Sequence, residues 1–514
     1  MKRISYLVLV FLFSVPAVSQ ELADALRLSD YRLQGTARAT AMGNAFGALG
    51  GDFTSASINP AGIGLYRSNE FSMTARLGEN DIDASYLGSR SNQTKDHFSI
   101  PNVSYVTTFN SPSYNGSSLI SINLGIGYNR MNDFNLKRLV YGEGATSSML
   151  DGFVSNSDGK APEALNKFYE KLAVYGQGAN LIYDDDEDDY YEHDLQLYPG
   201  TNDFENYPHN QRKYYSQKGS VDEYIFSVAA NFNHQFYLGG TIGIQDVYFR
   251  QRTSFSEWDA NNSIPHFNEY TFDTYLKTTG TGYNFKLGMI YKPVDALRLG
   301  LALHTPTFYD LSDDYYNDMY SSIILDEETG AISEYTALSP YGEYDYELKT
   351  PMKAILSVAY VVGKTGLFSL DYEWIDYSNM ELSDGADGNE FFDENALIEE
   401  TMKSVGNLHV GAEYRLSGFF SLRAGYEYYP SPYKSTALGV EQPNSDADTN
   451  TYSFGIGWKA GGFYADLAYK YSTCDEYINL YSVPDTADPS AYSSPTARFS
   501  NDKNYLSFTL GFRF

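Results

Sequence analysis

The residue types that most often carry chemistry are scattered along this chain of 514 residues. Its seven histidines form no CxxCH motif and no paired arrangement of the kind that ligates haem iron. The single cysteine, Cys474, excludes an internal disulfide framework and any metal site built from cysteines. No nucleophile, histidine and acid combine into a recognisable triad motif. The sequence therefore predicts no catalytic residue, no metal site and no cofactor, and we interpret the chain as a protein that is not an enzyme.

The strongest charge feature is the run from Asp184 to Asp194, which has eight acidic residues in eleven. Such a run could bind divalent cations at a lipopolysaccharide surface, but it lacks the spacing of an EF-hand loop. A solvated loop is the simpler interpretation of this charge pattern. The formal net charge of the whole chain is -30, which makes nucleic acid a poor partner.

From residue 70 onward the chain alternates apolar and polar residues with a period of two, which is typical of β-strands. In the segment 118–129, for example, Ile120, Ile122, Leu124 and Ile126 alternate with serine, asparagine and glycine. The pattern predicts fourteen strands, near residues 70–88, 101–110, 117–133, 221–234, 237–258, 269–291, 297–310, 340–361, 366–378, 402–416, 419–432, 448–459, 462–474 and 502–514.

A soluble β-sandwich also has strands with alternating apolar and polar residues. The lengths of the connections between the strands distinguish a membrane barrel from such a sandwich. Every second connection is short, and the others include the long segments 134–220, 311–339, 379–401 and 475–501. An even strand count, with short turns at one end and long loops at the other, is typical of outer-membrane barrels. The sequence therefore predicts an all-β fold over residues 70–514: a 14-stranded antiparallel transmembrane β-barrel with long extracellular loops.

Five charged residues or histidines on the polar faces of the predicted strands are candidate lumen contacts for a ligand: Arg298, His304, Glu413, Arg415 and Arg423. A cation at such a place could hold a carboxylate headgroup. Alternatively, the charges pair with one another, as is usual in the polar lumens of these barrels. Both interpretations stay open on the sequence alone.

The N-terminus carries an export signal. Lys2 and Arg3 precede an apolar stretch, Ile4 to Val15, which is shorter than the ~20 residues of a spanning helix. A small-x-small site follows at 17–19, so we expect residues 1–19 to be a cleaved signal peptide. At the other end, the terminal aromatic Phe514 closes an apolar strand face, where barrel proteins commonly present an aromatic residue to the barrel-assembly machinery. Both ends point to the outer membrane of a diderm bacterium.

Between signal and barrel lies a block of small residues, Gly35 to Gly64. It is no phosphate loop, because it has no GKS or GKT and no strand precedes its glycines. Ala37 to Phe46 could form a short helix, and the pair Asn59-Pro60 fixes a bend, since proline locks φ and restricts the residue before it. Small side chains allow such pieces to pack tightly. Residues 20–69 are therefore predicted to form a plug, or hatch, inside the barrel lumen.

The block resembles the N-terminal hatch of the FadL/TodX family of outer-membrane transporters for long-chain fatty acids and other hydrophobic compounds. The matching elements are Ala39 to Gly43, Ala45-Phe46, Asp52, Ser57 and Asn59-Pro60-Ala61-Gly62. Three strand segments are also similar to the family: Ile100 to Val106, Leu422 to Tyr428 with Ser431-Pro432, and Ala465 to Tyr469.

The resemblance implies passive transport. In this family a hydrophobic ligand is captured among the outer loops, the hatch shifts, and the ligand leaves through a lateral gap in the wall near an inward-kinked strand. Asn59, Pro60, Ala61 and Gly62 are then the candidate gating residues. A structural turn that links plug and first strand is the alternative for these four residues.

The partners implied are a hydrophobic small molecule, outer-membrane lipid and lipopolysaccharide. Related proteins can share a fold and bind different substrates. The alternatives are therefore a barrel that serves as a structural or shuttle component of a secretion or surface complex, or a haemin-receptor-like protein.

Overall fold

The computed structural model describes residues 18–111, 118–157, 160, 164–165, 191–197, 206–326, 328–384, 391–437, 440–481 and 493–514. Nearly all of the expected signal peptide, 1–19, lies outside these ranges, as does most of the acidic run from Asp184 to Asp194. Among the described residues, no helix is long and apolar enough to cross a membrane.

Strands dominate the described chain, with five short α-helices beside them. The helices are α1 (Val18–Ser29), α2 (Ala37–Ala41), α3 (Ser55–Ile58), α4 (Met149–Ser157) and α5 (Phe392–Thr401), and two 3₁₀ helices span Pro60–Leu65 and Tyr377–Asn379. The strands are β1 (Glu70–Tyr86), β2 (Ser89–Asn110), β3 (Leu119–Asp133), β4 (Leu136–Ala145), β5 (His209–Phe232), β6 (Phe236–Trp258), β7 (Phe267–Val294), β8 (Leu297–His304), β9 (Phe308–Asp326), β10 (Ala331–Leu338), β11 (Gly342–Lys349), β12 (Lys353–Val362), β13 (Gly366–Asp376), β14 (Glu381–Ser383), β15 (Ser404–Arg415), β16 (Phe420–Tyr429), β17 (Thr436–Ala437), β18 (Val440–Glu441), β19 (Thr449–Ala460), β20 (Phe463–Asn479) and β21 (Thr496–Arg513).

The sheet closes on itself, because β1 pairs along its length with the last strand, β21. Some barrel strands are interrupted and consist of two consecutive segments, which lie side by side with the same neighbouring barrel strand. These pairs of segments are β3 with β4, β8 with β9, β11 with β12, and β13 with β14. β10 adds a hairpin to β9, and β17 with β18 forms a separate small sheet. Counted in this way the barrel has fourteen antiparallel strands, which confirms the predicted fold.

The membrane face follows from the alternation in the sequence. On β8, Leu299, Leu301 and Leu303 are exposed, whereas Ala302 and His304 are buried toward the lumen. An apolar exterior with a polar interior is what hydrocarbon on one side of a barrel wall requires. On β7 this exposed band runs from Tyr291 to Tyr283, and aromatic residues at its two ends match the interfacial girdles of outer-membrane barrels.

The strands continue far beyond this band, into segments that the sequence led us to expect as loops. β4 and the start of β5 lie within 134–220, and β9 and β10 occupy most of 311–339. The pattern did not indicate them because strands outside the membrane have polar residues on both faces, as in the acidic stretch of β9. β1 and β2 are joined by the two-residue turn Leu87-Gly88, in which both residues have positive φ.

Two apolar clusters close the outer end of the barrel. One contains α4, through Leu150 and Phe153. The other surrounds α1, through Ala25 and Leu28, and includes Ile398 of α5. The chain therefore covers its own lumen with apolar side chains above the level of the membrane.

Candidate functional site

Residues 20–69, the predicted hatch, lie against the inner wall of the barrel at many points around its circumference. The amide of Ala37 donates to Thr509 Oγ1 on β21 at 2.7 Å, and the amide of Gly47 donates to Asp371 Oδ2 on β13 at 2.7 Å. On the opposite side, the 3₁₀ helix Pro60–Leu65 packs on β5, β6 and β7. The short N-terminal helices thus fill the barrel as a plug.

Glycines in the wall make room for the plug. A Cβ atom added at Gly425 of β16 would collide with the backbone of Met42 and Gly43, and one at Gly288 of β7 would collide with the Asn59 side chain. Gly43 itself has a φ of +58°, a conformation that residues with a side chain rarely adopt. Hatch and wall are therefore fitted to each other at the level of the backbone.

Asn59 joins the hatch to the wall. Its Nδ2 donates to the carbonyl of Gly47 at 2.6 Å and reaches the carbonyl of Met289 on β7 at 3.1 Å. Its Oδ1 accepts from the amide of Ala61 at 3.1 Å, which caps the 3₁₀ helix that begins at Pro60. The amide of Gly62 closes the turn on the Asn59 carbonyl at 2.9 Å. The four residues thus form a structural turn, and the Asn59 side chain also binds the wall.

Two of the five candidate lumen contacts bind the hatch backbone. Arg298 Nη1 donates to the carbonyl of Leu49 at 2.6 Å. His304 Nε2 lies 2.8 Å from the carbonyl of Ile58, and donates to it in the tautomer that carries the proton on that nitrogen. Both side chains are thus engaged with the plug in this arrangement.

The other three belong to a charge network. Glu413 Oε2 accepts from Arg423 Nε at 2.8 Å and from Arg38 Nε, in the hatch, at 3.1 Å. Arg423 Nη1 also binds Asp466 Oδ1 at 2.5 Å. Arg415 lies at the edge of the network, 4.0 Å from Glu413, with its side chain 59% exposed. The cations therefore pair within the protein, and one link of the network reaches the hatch.

The helix α1 contacts the wall through Arg27 and lies near a buried carboxyl group of β9. Asp24 and Arg27 of α1 form an ion pair, and the Arg27 guanidinium lies 3.9 Å above the ring of Phe249. Asp313 of β9 faces this helix from the wall, beyond the membrane band. Burial, and to a smaller extent the nearby charge of Asp24, raise the pKa of Asp313 to about 7.

A cavity of about 60 Å³ remains between plug and wall, lined among others by Tyr31, His304, Lys353 and Glu373. Pockets for small molecules usually measure about 300–1,000 Å³, so this one has room only for water.

The backbone ladder between β2 and β3 ends at Asn102 and Asn129, although β2 continues outward to Ser89. An irregularity marks this point, where Ile100 and Pro101 of β2 lie opposite one residue of β1. Proline has no amide hydrogen for the ladder. We call the unpaired boundary between residues 89–101 and residues 130–145 the seam.

Side chains bridge the seam where backbone pairing is missing. His97 Nε2 of β2 lies 3.3 Å from Asp133 Oδ2 of β3. Farther out, Ser91 Oγ donates to the carbonyl of Leu139 on β4. Within the described residues no backbone pairing joins the two sides, so this part of the wall is held by weaker contacts than the rest.

The hatch occupies the free edge of β3 at the seam. The amide of Arg32 donates to the Met131 carbonyl at 2.9 Å, and the amide of Gln34 donates to the Arg130 carbonyl at 2.8 Å. We call residues 32–34 the strap. It pairs with β3 where β2 no longer does, so the plug completes the wall from inside.

The sequence profile of the outer membrane transport proteins OMPP1/FadL/TodX matches residues 220–514, more than half of the chain. The chain belongs to this family. None of the curated proteins compared with it matches. Among solved structures, a FadL homologue of Pseudomonas aeruginosa is similar in fold, with 14% identity, a TM-score of 0.50, and coverage of 94% of this chain and 99% of that one.

Two other FadL/TodX structures are also similar. The toluene transporter TodX of Pseudomonas putida shares 13% identity over 94% of this chain and 99% of its own, with a TM-score of 0.49. The toluene transporter TbuX of Ralstonia pickettii shares 13% identity over 93% of this chain and 98% of its own, with a TM-score of 0.47. The family match and the closed barrel together identify the chain as an outer-membrane barrel protein.

The sequence of this FadL/TodX member did not indicate several of its contacts. Glu223 of β5, fully buried, forms an ion pair with Lys286 of β7 and accepts from Ser57 of the hatch at 2.9 Å. Both charged residues lie at lumen-facing positions of strands in which apolar and polar residues alternate. This alternation could have indicated them. The strap gave no such signal, because its contact with β3 is made by backbone atoms.

Proposed function

We propose that this protein carries hydrophobic small molecules, of the size and character of long-chain fatty acids, passively across the outer membrane and releases them sideways through the seam. The observation that carries the proposal is the strap on the free edge of β3. The plug makes two hydrogen bonds to an incomplete wall, so the wall can open when the plug moves and these bonds break. A water-filled pore would need neither feature.

The ligand class follows from the surroundings of this exit. Leu77 of β1 and Phe98 and Ile100 of β2 are exposed on the lipid side next to the seam. A molecule that leaves here passes directly into hydrocarbon, and transfer of apolar surface out of water is favourable by about 25 cal/mol per Å². A polar solute would lose its hydration along the same route. The exit therefore selects for hydrophobic molecules.

The proposed cycle has three steps. A ligand enters among the apolar clusters around α1 and α4, which close the outer end. The hatch then shifts: the strap leaves β3, and the contacts of Asn59 and His304 with the opposite wall limit how far the plug moves. Finally the ligand passes between β2 and β3 into the membrane, and the strap pairs with β3 again.

A disulfide-bonded bridge across the seam tests lateral release. In a Cys474→Ser background, His97→Cys with Asp133→Cys places one thiol on each side of the seam, and a short dithiol linker joins the two through disulfide bonds. We expect the oxidised protein in liposomes to take up labelled oleate at least tenfold more slowly than the same protein after reduction.

The matched control is Thr253→Cys with Thr274→Cys, which joins two paired positions of β6 and β7 away from the seam. Its uptake should not depend on reduction. Equal uptake by the oxidised and reduced seam variant would contradict lateral release, and would favour a structural role of the barrel in a larger complex.

A further inference from the structure

Arg76 of β1 is a buried cation without an acidic partner. Its side chain is almost fully buried on the lumen side of the wall. Nε donates to Ser507 Oγ at 2.8 Å and Nη2 donates to Thr40 Oγ1 of the hatch at 3.1 Å. Within the described residues no carboxylate lies within ion-pair distance of the guanidinium. A buried charge of this kind costs free energy unless something else compensates it.

A buried hydroxyl group without a partner lies beside it. Ser99 of β2 is the register partner of Arg76, and its buried Oγ has no hydrogen bond among the described residues. The ring of His97 lies over Gly78, where a Cβ would collide with it, and its Nε2 is paired with Asp133 Oδ2 at 3.3 Å. His97 and Arg76 both lie near the ring of Tyr505. A buried hydroxyl group without a hydrogen bond costs free energy, and a ligand that accepts from Ser99 would relieve that cost.

We propose that Arg76 and Ser99 form a site for the carboxylate headgroup of an amphiphilic ligand at the inner side of the seam. Both side chains can donate hydrogen bonds, so the site fits an anion. A guanidinium matches a planar carboxylate with two parallel hydrogen bonds. This inference rests on the proposed lateral release, because it places the headgroup at the start of the exit.

The position of the site explains how one ligand satisfies both environments. Arg76 faces the lumen, while the neighbouring Leu77 is 59% exposed on the lipid side, and Phe98 is 64% exposed. A hydrocarbon chain can pass through the seam into the membrane while its headgroup stays with Arg76. The hatch competes for the same cation through Thr40, so withdrawal of the hatch frees a donor for the ligand.

Calorimetric titration of the full-length protein in a nonionic detergent tests the site. The probes are laurate, its neutral methyl ester, and dodecyl phosphate, which has the headgroup chemistry of a membrane lipid. Arg76→Met removes the charge at similar length, and Arg76→Lys retains a charge without the planar fork. We expect Arg76→Met to weaken laurate binding roughly tenfold, equivalent to about 1.4 kcal/mol, and to leave the methyl ester unaffected. Arg76→Lys should recover part of the loss.

Equal losses for laurate and its ester, or no loss for laurate, would overturn the proposal. A loss confined to dodecyl phosphate would assign the site to a lipid phosphate instead, which also overturns it. Folding is checked by the change in gel mobility on boiling. If Arg76→Met does not fold, Ser99→Ala replaces it, with an expected loss for laurate of roughly threefold and none for the ester.

The outcome is separable from that of the proposed function. A selective loss of laurate binding together with free uptake through the disulfide-closed seam would keep the anion site and reject lateral release. Blocked uptake through the closed seam with laurate binding unchanged in Arg76→Met would do the reverse.

Discussion

The amide of Gln34 in the hatch donates a hydrogen bond of 2.8 Å to the carbonyl of Arg130 on β3, at the first position beyond the end of the β2–β3 ladder. The plug therefore acts as a piece of the wall. In the proposed lateral release, movement of the plug and opening of the wall are the same event at this point.

Asn59→Ala should loosen the hatch. The change removes the bonds to the carbonyls of Gly47 and Met289 and the cap on the Ala61 amide. Each lost bond in a buried setting costs about 1 kcal/mol, so we expect the local opening free energy of residues 35–65 to fall by roughly 2–3 kcal/mol. Hydrogen exchange followed by mass spectrometry measures this.

The control for Asn59→Ala is Asn92→Ala, an exposed asparagine of β2 that binds carboxylates of β1 on the barrel surface. It should leave hatch exchange unchanged. Similar exchange in the two variants would show that the Asn59 side chain does not hold the plug.

Replacement of Arg423 should lower the free energy of unfolding far more than replacement of Arg415, although both are candidate lumen cations. Arg423→Met leaves buried Glu413 and Asp466 without their shared partner, and breaking a buried pair costs roughly 3–5 kcal/mol. Arg415 is mostly exposed at 4.0 Å from Glu413, so Arg415→Met should change the free energy of unfolding by less than about 1 kcal/mol. Urea unfolding of both variants in detergent measures the difference. Equal values would contradict the charge network.

Docking of α1 should strengthen as pH falls through about 7. Asp313 has its pKa raised to about 7 by burial and by the charge of Asp24, while Arg27, Thr278 and Tyr346 lower it. A carboxyl group whose pKa is raised in the docked state destabilises that state once it must ionise. The loss of stability begins as pH rises above the unfolded pKa, near 4, and is complete above about 7. Asp313→Asn removes this dependence and should favour docking above pH 7.

Tryptic cleavage after Arg27 reports this docking, because α1 must leave its apolar cluster to be cut. The rate for the wild type divided by that for Asp313→Asn cancels the pH dependence of trypsin itself. We expect the ratio to rise severalfold from pH 6 to pH 8. A constant ratio would exclude Asp313 as the titrating group.

Phe514→Ala should reduce assembly in the outer membrane more than it reduces stability. The Phe514 side chain is 56% exposed and contacts only Tyr105 and Phe512 among aromatic rings of the described chain. Recognition by the barrel-assembly machinery, which we predict for this terminus, does not depend on its packing. Outer-membrane yield in cells, compared with thermal unfolding of the purified barrel, separates the two effects.

Phe508→Ala, on the lipid face of the same strand and 43% exposed, is the matched control for Phe514→Ala. Equal yields of the two variants in cells would argue against a special role of the terminal aromatic residue.

The barrel could be predicted from the sequence because each membrane segment must show an apolar residue to lipid at every second position, as Leu299, Leu301 and Leu303 do. Arg298, His304 and Arg423 lie at lumen-facing positions, whereas Arg415, at the end of β15, is mostly exposed. Their partners could not be predicted, because pairs such as Arg38 with Glu413 are separated by hundreds of residues and follow from the register of the closed barrel.

The seam was hidden for a different reason. The alternation predicts a strand that begins near residue 101, whereas β2 begins at Ser89 and passes through Pro101 without a break. Residues 89–97 are all polar, and they lie outward of the lipid-exposed Phe98 and Ile100. The pairing of Arg32 and Gln34 with β3 uses only backbone atoms, so no residue type announces it.

The central claim is that the hatch must leave β3 for a ligand to pass. Gln34→Cys with Arg130→Cys, in a Cys474→Ser background, can lock the two bridge partners together. The measurement is uptake of labelled oleate by liposomes that contain this protein, before and after reduction. We predict that the oxidised protein is at least tenfold slower and that reduction restores wild-type uptake. Uptake that is equally fast with the hatch locked to β3 would contradict the account.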